Sequence, residues 1–121
     1  MEKKKALIIE DEEEIANIVE DILSIHHTEA IIASRGTEAL TILESEPIGF
    51  VISDISLPDI DGFELYESVK SKYPALKSQF LFMSGFSPDE KMGKFLAETG
   101  NSFIQKPFHI NDLQQRLEKY L

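Results

Sequence analysis

The chain has 121 residues, 42% hydrophobic and 28% charged, with no cysteine; that reads as one domain over residues 1–121 built on a single core, and it excludes disulfides and thiolate metal sites. Twelve basic residues against 22 acidic ones leave a formal charge of −10, which repels a phosphate backbone and an anionic membrane surface and argues against direct nucleic-acid binding. The only basic run, Lys3-Lys4-Lys5, reads as a solvated terminus; the apolar stretch behind it, Ala6 to Ile9, ends in acid and is far short of a signal peptide or membrane span, so a cytoplasmic location with no membrane partner is expected.

Ala6-Leu7-Ile8-Ile9 reads as a first strand that ends on Glu10-Asp11. Ile15, Ile18, Val19, Ile22 and Leu23 then follow the stripe of an amphipathic helix, with acids crowding its first turn where the helix dipole favours them. His26 and His27 fall where this helix ends; they and His109 are expected at the surface, since nothing around them resembles a phosphotransfer histidine. Ala30 to Ala33 is the weakest apolar run and is expected at a sheet edge. Thr37 to Ser45 carries Ala39, Leu40 and Leu43 on a second helix that stops before Pro47. The run Phe50-Val51-Ile52-Ser53 ends on Asp54. A third helix, Phe63 to Tyr73, presents Phe63, Tyr66, Val69 and Lys70 and stops at Pro74, which disfavours helix in the residue before it.

Phe80-Leu81-Phe82-Met83 is a fourth strand ending on Ser84. The next helix is predicted from Pro88 to Glu98, with Ser87 as N-cap, Pro88 at the first helical position and a stop near Gly100. Its few anchors, Met92, Phe95 and Leu96, make it the least firmly packed of the five. Ser102 to Gln105 leads into Lys106-Pro107, and a last helix from Asn111 to about Tyr120, with Asn111 as its cap, buries Leu113 and Leu117.

Continuous apolar runs of strand length alternating with helical patterns argue for a parallel sheet buried on both faces. Five such units match the α/β, flavodoxin-like doubly wound sheet of order 2-1-3-4-5 with five helices, whose ligand crevice lies at the carboxyl ends of strands 1 and 3. Glu10, Asp11 and Asp54 fall at that switch point and supply hard oxygen ligands, which suit Mg²⁺ before zinc. Glu12, Glu13 and Glu14 read instead as solvated or helix-capping acids. Lys106 follows a buried strand, so its stem lies against the sheet while its ammonium reaches the acids, either as an ion pair or as a clamp on a phosphoryl group. Ser84 offers a hydrogen bond to a phosphoryl oxygen. Acids, ammonium and hydroxyl at one sheet edge point to phosphoryl chemistry.

These motifs together resemble the receiver domain of two-component signalling, the response-regulator family, over essentially the whole chain. The segment Asp54-Ile-Ser-Leu-Pro58-Asp-Ile-Asp-Gly62 is similar to the family's Asp, Pro and Asp-Gly loop. The resemblance implies that Asp54 accepts a phosphoryl group from the phosphohistidine of a histidine kinase or phosphotransfer protein. It implies a Mg²⁺ site made by Asp11, Asp54, Glu10 through water and the backbone carbonyl of Ser56. It further implies that Ser84 and Lys106 hold the phosphoryl oxygens, that the Lys106-Pro107 peptide is cis, and that Phe103 is the switch aromatic. The readout is then the face of helix 4, strand 5 and helix 5, offered to a downstream protein target or output domain. The resemblance thus implies a phosphoacceptor domain, expected to catalyse its own phosphorylation and dephosphorylation, rather than an enzyme acting on other molecules.

Two departures from the family pattern stand out. Glu10 replaces an aspartate, adding a methylene beside the metal, and Phe103 replaces a tyrosine, so an inward ring has no hydroxyl to bond a carbonyl. The complete acceptor set favours phosphorylation over a receiver-like binding module that takes no phosphate. A haloacid-dehalogenase phosphatase needs a second aspartate where this chain has Ser56, a calcium loop placed on Gly62 has Leu57 and Ser68 at its ligand ends, and a flavodoxin needs a Gly/Ser/Thr-rich loop where this one is acidic. Ser84-Gly85-Phe86 resembles the receivers of hybrid kinases, and Phe86 is expected at the rim of the site beside Ser56.

Overall fold

Residues 4–121 are described by the structure, a computed structural model, and Lys3 lies outside them. Five parallel strands, β1 (Lys5–Ile9), β2 (Ala30–Ala33), β3 (Ile48–Asp54), β4 (Phe80–Ser84) and β5 (Ser102–Gln105), form one sheet in the order β2-β1-β3-β4-β5. Five helices connect or follow them: α1 (Glu13–Ile25), α2 (Gly36–Ser45), α3 (Gly62–Lys72), α4 (Glu90–Thr99) and α5 (Ile110–Leu117). Successive side chains of a strand point to opposite faces, so each strand feeds two cores. Leu7, Ile9, Val51, Phe80 and Phe82 meet Ala39, Leu43, Leu65, Tyr66 and Val69 from α2 and α3. Ala6, Ile8, Phe50, Ile52, Leu81 and Met83 meet Ala16, Val19, Ile22 and Leu23 of α1 and Leu113 and Leu117 of α5. The edge strands are the least covered: in β2 only Ala33 is buried, and in β5 only Ile104, with Gln105 exposed.

The helices depart from the predicted pattern at several points. Ile18, placed in the apolar stripe of α1, is 40% exposed; Ala16 takes its place in the core, because the face centred on Val19 and Leu23 already fills the space over the sheet. In α3 the buried set is Leu65, Tyr66 and Val69, while Lys70 pairs with Glu67 at 2.8 Å on the outer side. Ser87 does not cap α4 and Pro88 does not start it. The helix begins at Glu90 because the Asp89 carboxylate, an ionised acceptor beside the positive helix end, takes the Met92 N–H at 2.8 Å. Ser87 turns away and donates to Gln105 at 3.3 Å. The stop at Gly100 has φ 73°, a left-handed conformation that favours glycine. Helix α5 starts one residue before Asn111, with the His109 carbonyl accepting the Leu113 N–H at 3.1 Å. The chain then tightens into a 3-10 turn, Glu118–Tyr120, as the Tyr120 hydroxyl donates to the Phe80 carbonyl at 2.6 Å and its ring stacks on Phe50 at 5.4 Å.

Helix α4 has no fully buried residue. Only Met92, Phe95 and Leu96 rest partly buried on the core. Gly93 lies mid-helix with no heavy atom near the position of an added Cβ, so packing does not require it. Gly93→Ala is expected to raise stability by about 0.5–1 kcal/mol, the helix-propensity difference, read as a higher urea midpoint at unchanged slope. A lower midpoint would mean that α4 needs the glycine for a contact or conformation other than the one described.

Candidate functional site

Strand register brings the charged ends together. Ile9 pairs with Ser53, so Glu10 and Asp54 follow side by side, and Ser84 pairs with Gln105, so Lys106 emerges beside them. One carboxylate oxygen from each of Glu10, Asp11 and Asp54 lies within 4.8 Å of the others. Glu10 and Asp54 are buried and Asp11 is exposed. The Lys106 ammonium stands between the two buried acids, meeting Glu10 Oε1 and, at 2.9 Å, Asp54 Oδ2. The sequence anticipated the lysine reaching the acids; that Glu10, as well as Asp54, is its partner follows from Glu10 being turned inward.

Backbone donors hold the remaining oxygens. Glu12 N–H donates to Glu10 Oε2 at 3.1 Å and Ser56 N–H to Asp54 Oδ1 at 3.1 Å. Ser84 Oγ accepts the Phe86 N–H at 3.1 Å, which leaves its own proton free to be donated into the site. The Ser84 carbonyl accepts the Lys106 N–H at 2.7 Å, and the Lys106-Pro107 peptide is cis. Asp11, Asp54, Ser56, Phe86, Lys106 and Pro107 line an open depression of about 460 Å³. Phe86 stands at its rim, 76% exposed. Phe103, on β5 three residues before Lys106, is half-buried against the core on the α4 side, opposite Phe82 in the ladder. His26, His27 and His109 are exposed and lie away from the depression.

Burial pushes the Glu10 carboxyl up to about 7, assisted by the Asp54 charge and resisted by hydrogen bonds from Lys106 and the Glu12 N–H. Burial pulls the Lys106 ammonium down, but its hydrogen bonds to Glu10 and Asp54 outweigh this and leave it raised. The native state therefore holds a proton on Glu10 that the unfolded chain, with a carboxyl near 4.5, releases. Its stabilising contribution is complete below about pH 4.5 and is lost as pH rises through about 7. Unfolding without divalent cation is expected to show stability declining across that window, and Glu10→Gln to flatten the decline. An identical slope in the variant would assign the proton to another group.

One residue that the sequence reading left out takes part in the scaffold around this site. Asp59, in the loop after β3, accepts the N–H groups of Gly36 and Thr37, each at 2.9 Å, and these bonds, that of Thr37 foremost, hold its carboxyl down at about 2. The sequence carries only half of a signal: Arg35-Gly36 opens α2 without a capping side chain, which leaves its first N–H groups to water or to an acceptor from another segment, without saying which.

The family model for the response regulator receiver domain matches residues 6–118. The alkaline phosphatase synthesis transcriptional regulatory protein PhoP of Bacillus subtilis is 30% identical over 120 residues, covering 98% of this chain and 48% of that protein. A receiver domain protein (CheY-like) from Methanospirillum hungatei has a crystal structure that superposes with a TM-score of 0.82 at 28% identity, covering 98% of this chain and 93% of that one. The non-phosphorylated HemR receiver domain from Leptospira biflexa gives a TM-score of 0.85 at 28% identity, over 98% and 94% of the two chains. The chain spans about half or less of the length of the curated relatives it matches. With the sheet order, the acidic pair after β1, the aspartate ending β3 and the lysine after β5 all in place, the chain belongs to the response regulator receiver domain family.

Proposed function

We propose that Asp54 accepts a phosphoryl group from the phosphohistidine of a histidine kinase or phosphotransfer protein, in the cytoplasm, and that the phosphorylated domain acts on a downstream protein target or output domain. The observation that carries this reading is the setting of Asp54: a buried carboxylate paired with Lys106 at 2.9 Å, with oxygens of Glu10 and Asp11 within 4.8 Å, at the floor of an open depression. An Asp54 oxygen attacks phosphorus in line, the bond from phosphorus to the histidine nitrogen breaks, and an acyl phosphate is left on the aspartate. Lys106 and the Ser84 hydroxyl are placed to receive phosphoryl oxygens, so positioning and charge neutralisation supply most of the acceleration.

Three carboxylate oxygens within 4.8 Å suit a small hard cation, and Glu10, Asp11, Asp54 and the Ser56 carbonyl would hold Mg²⁺. Bound there, Mg²⁺ supplies neutralisation of the charge shared by the acids and the phosphoryl group. Ser84 and Lys106, drawn toward phosphoryl oxygens, would bias Phe103 and the face of α4, β5 and α5 between two arrangements. The high net negative charge supports a protein rather than a nucleic acid as the direct partner.

The test is uptake of one phosphoryl group from acetyl phosphate by the wild-type chain, dependent on Mg²⁺. No uptake under those conditions would favour a binding module that takes no phosphate. Asp11 supplies one of the three clustered carboxylates that would hold the cation, and Asp11→Ala is expected to weaken Mg²⁺ by about tenfold or more, near 1.4 kcal/mol, in a calorimetric titration. A larger loss from Glu12→Ala would place the cation elsewhere.

A further inference from the structure

The loop between β3 and α3 is pinned at both ends of its span. At the stem, Gly62 N–H donates to the Ile55 carbonyl at 2.8 Å, Ser56 bridges to Asp61, and a Cβ on Gly62 would come within 2.6 Å of Ile55 Cα. Asp61 also caps α3 through the Phe63 N–H at 2.8 Å. At the tip, the Asp59 carboxylate accepts the N–H groups of Gly36 and Thr37 on α2, and among the described residues no other side-chain hydrogen bond ties the tip to another element. Gly36 makes the approach possible, because a Cβ there would collide with the Ile60 side chain. Among the described residues no other side chain accepts a first-turn N–H of α2: its N-cap residue Arg35 makes no such bond, and Glu38 reaches back instead to the Ser34 N–H at 3.3 Å. One carboxylate thus closes two open ends, the tip of the loop and the start of the helix.

The geometry points to Asp59 as a positioning residue for the phosphoacceptor site: by docking the loop tip on the first turn of α2, it fixes the segment that carries Ser56, and so the Ser56 N–H on Asp54 and the Ser56 carbonyl offered to a cation. This rests on the Mg²⁺-dependent reading of the site given above. Asp59 touches no reacting atom and acts through Ser56. A bidentate carboxylate bridging two elements removes freedom from the loop that neither Leu57 nor Ile60 removes by apolar contact alone, since apolar packing is non-directional and hydrogen bonds are not.

The alternative, that Asp59 is only a helix cap, is separable by experiment. Asp59→Ala is expected to lower the melting temperature, to speed amide hydrogen exchange at Gly36, Thr37 and Ser56, and to weaken Mg²⁺ by about threefold or more, less than the tenfold or more typical of groups bonded directly to a metal ligand. Asp59→Asn, which keeps one acceptor oxygen, is expected to fall between. In the double variant Asp59→Ala/Arg35→Asn, the asparagine caps α2 locally from an extended backbone (φ −154°, ψ 164°) that suits a cap, and the net charge stays at that of the wild type. The melting temperature should then recover while Mg²⁺ affinity stays low and Ser56 exchange stays fast. Recovery of all three together, or no loss of Mg²⁺ affinity and no faster Ser56 exchange in Asp59→Ala, would overturn the proposal. Wild type and Asp11→Ala run alongside keep the two readings apart. If neither binds Mg²⁺, the cation reading fails by itself, and Ser56 exchange in the double variant still decides whether Asp59 holds the loop.

Discussion

Asp54→Asn is expected to take up no phosphoryl group from acetyl phosphate and Mg²⁺, where the wild-type chain takes up one. The amide matches the carboxylate in size and keeps an oxygen for the Ser56 N–H, now 3.1 Å from Asp54 Oδ1, so the loop after β3 retains its anchor. What the amide lacks is the negative charge, and with it both the nucleophile and the partner of Lys106 at 2.9 Å. Glu10 cannot substitute, because it is buried and already held by Lys106 and the Glu12 N–H. Asp11 is free of such restraints but exposed, with no lysine against it among the described residues. Intact mass measured before and after incubation gives the answer directly. Uptake by the variant equal to that of wild type would move the acceptor off β3 and dissolve the role given to Lys106.

The largest stability effect is expected from Phe82→Ala. Phe82 is fully buried at the middle of β4, and its ring meets Phe80 at 5.3 Å, Phe95 at 5.6 Å, Tyr66 at 5.7 Å and Phe63 at 5.9 Å. Tyr66 cannot swing into the gap, since its hydroxyl donates to the Lys77 carbonyl at 2.6 Å. The void therefore stays, and the loss should reach about 3–5 kcal/mol, a large part of the stability of a domain this size. Phe95 belongs to α4, which has no fully buried residue, so that helix should loosen first, seen as faster amide exchange along residues 90–99. Urea unfolding at unchanged slope is the measurement. A loss below about 1 kcal/mol would mean that α4 collapses inward to fill the space, at odds with its aromatic contacts being the main tie to the sheet.

What the sequence determined alone is what depends on neighbours along the chain. Strand positions were legible because a run such as Ala6 to Ile9, apolar at every residue, is buried on both faces wherever it sits. Their order followed from alternation with helices, since short connections and right-handed crossovers leave few parallel arrangements. That Glu10, Asp11, Asp54, Ser84 and Lys106 gather at one edge followed from their place at strand ends.

The tertiary structure decided what depends on groups far apart in the chain. The start of α2 rests on Asp59, more than twenty residues away, and no local rule would have supplied it. The start of α4 went to Asp89 because Ser87 found Gln105 on β5. Ile18 fits the helical period of α1 as well as Ala16 does, yet only the seating of the helix on the sheet, with Val19 and Leu23 at its centre, sets which of them is covered. The Tyr120 hydroxyl reaches across to Phe80 and ends α5 early. Glu10 is the clearest case. Its acidity is written in the sequence, but its burial, its pairing with Lys106 and the proton it retains near neutral pH all come from side chains that only the register of β1, β3 and β5 brings within a few ångströms. A hydrogen bond or a charge acts over the distance the fold leaves between two groups, whereas apolar burial is set by the pattern along one segment, and that difference in range divides what could be read from what had to be seen.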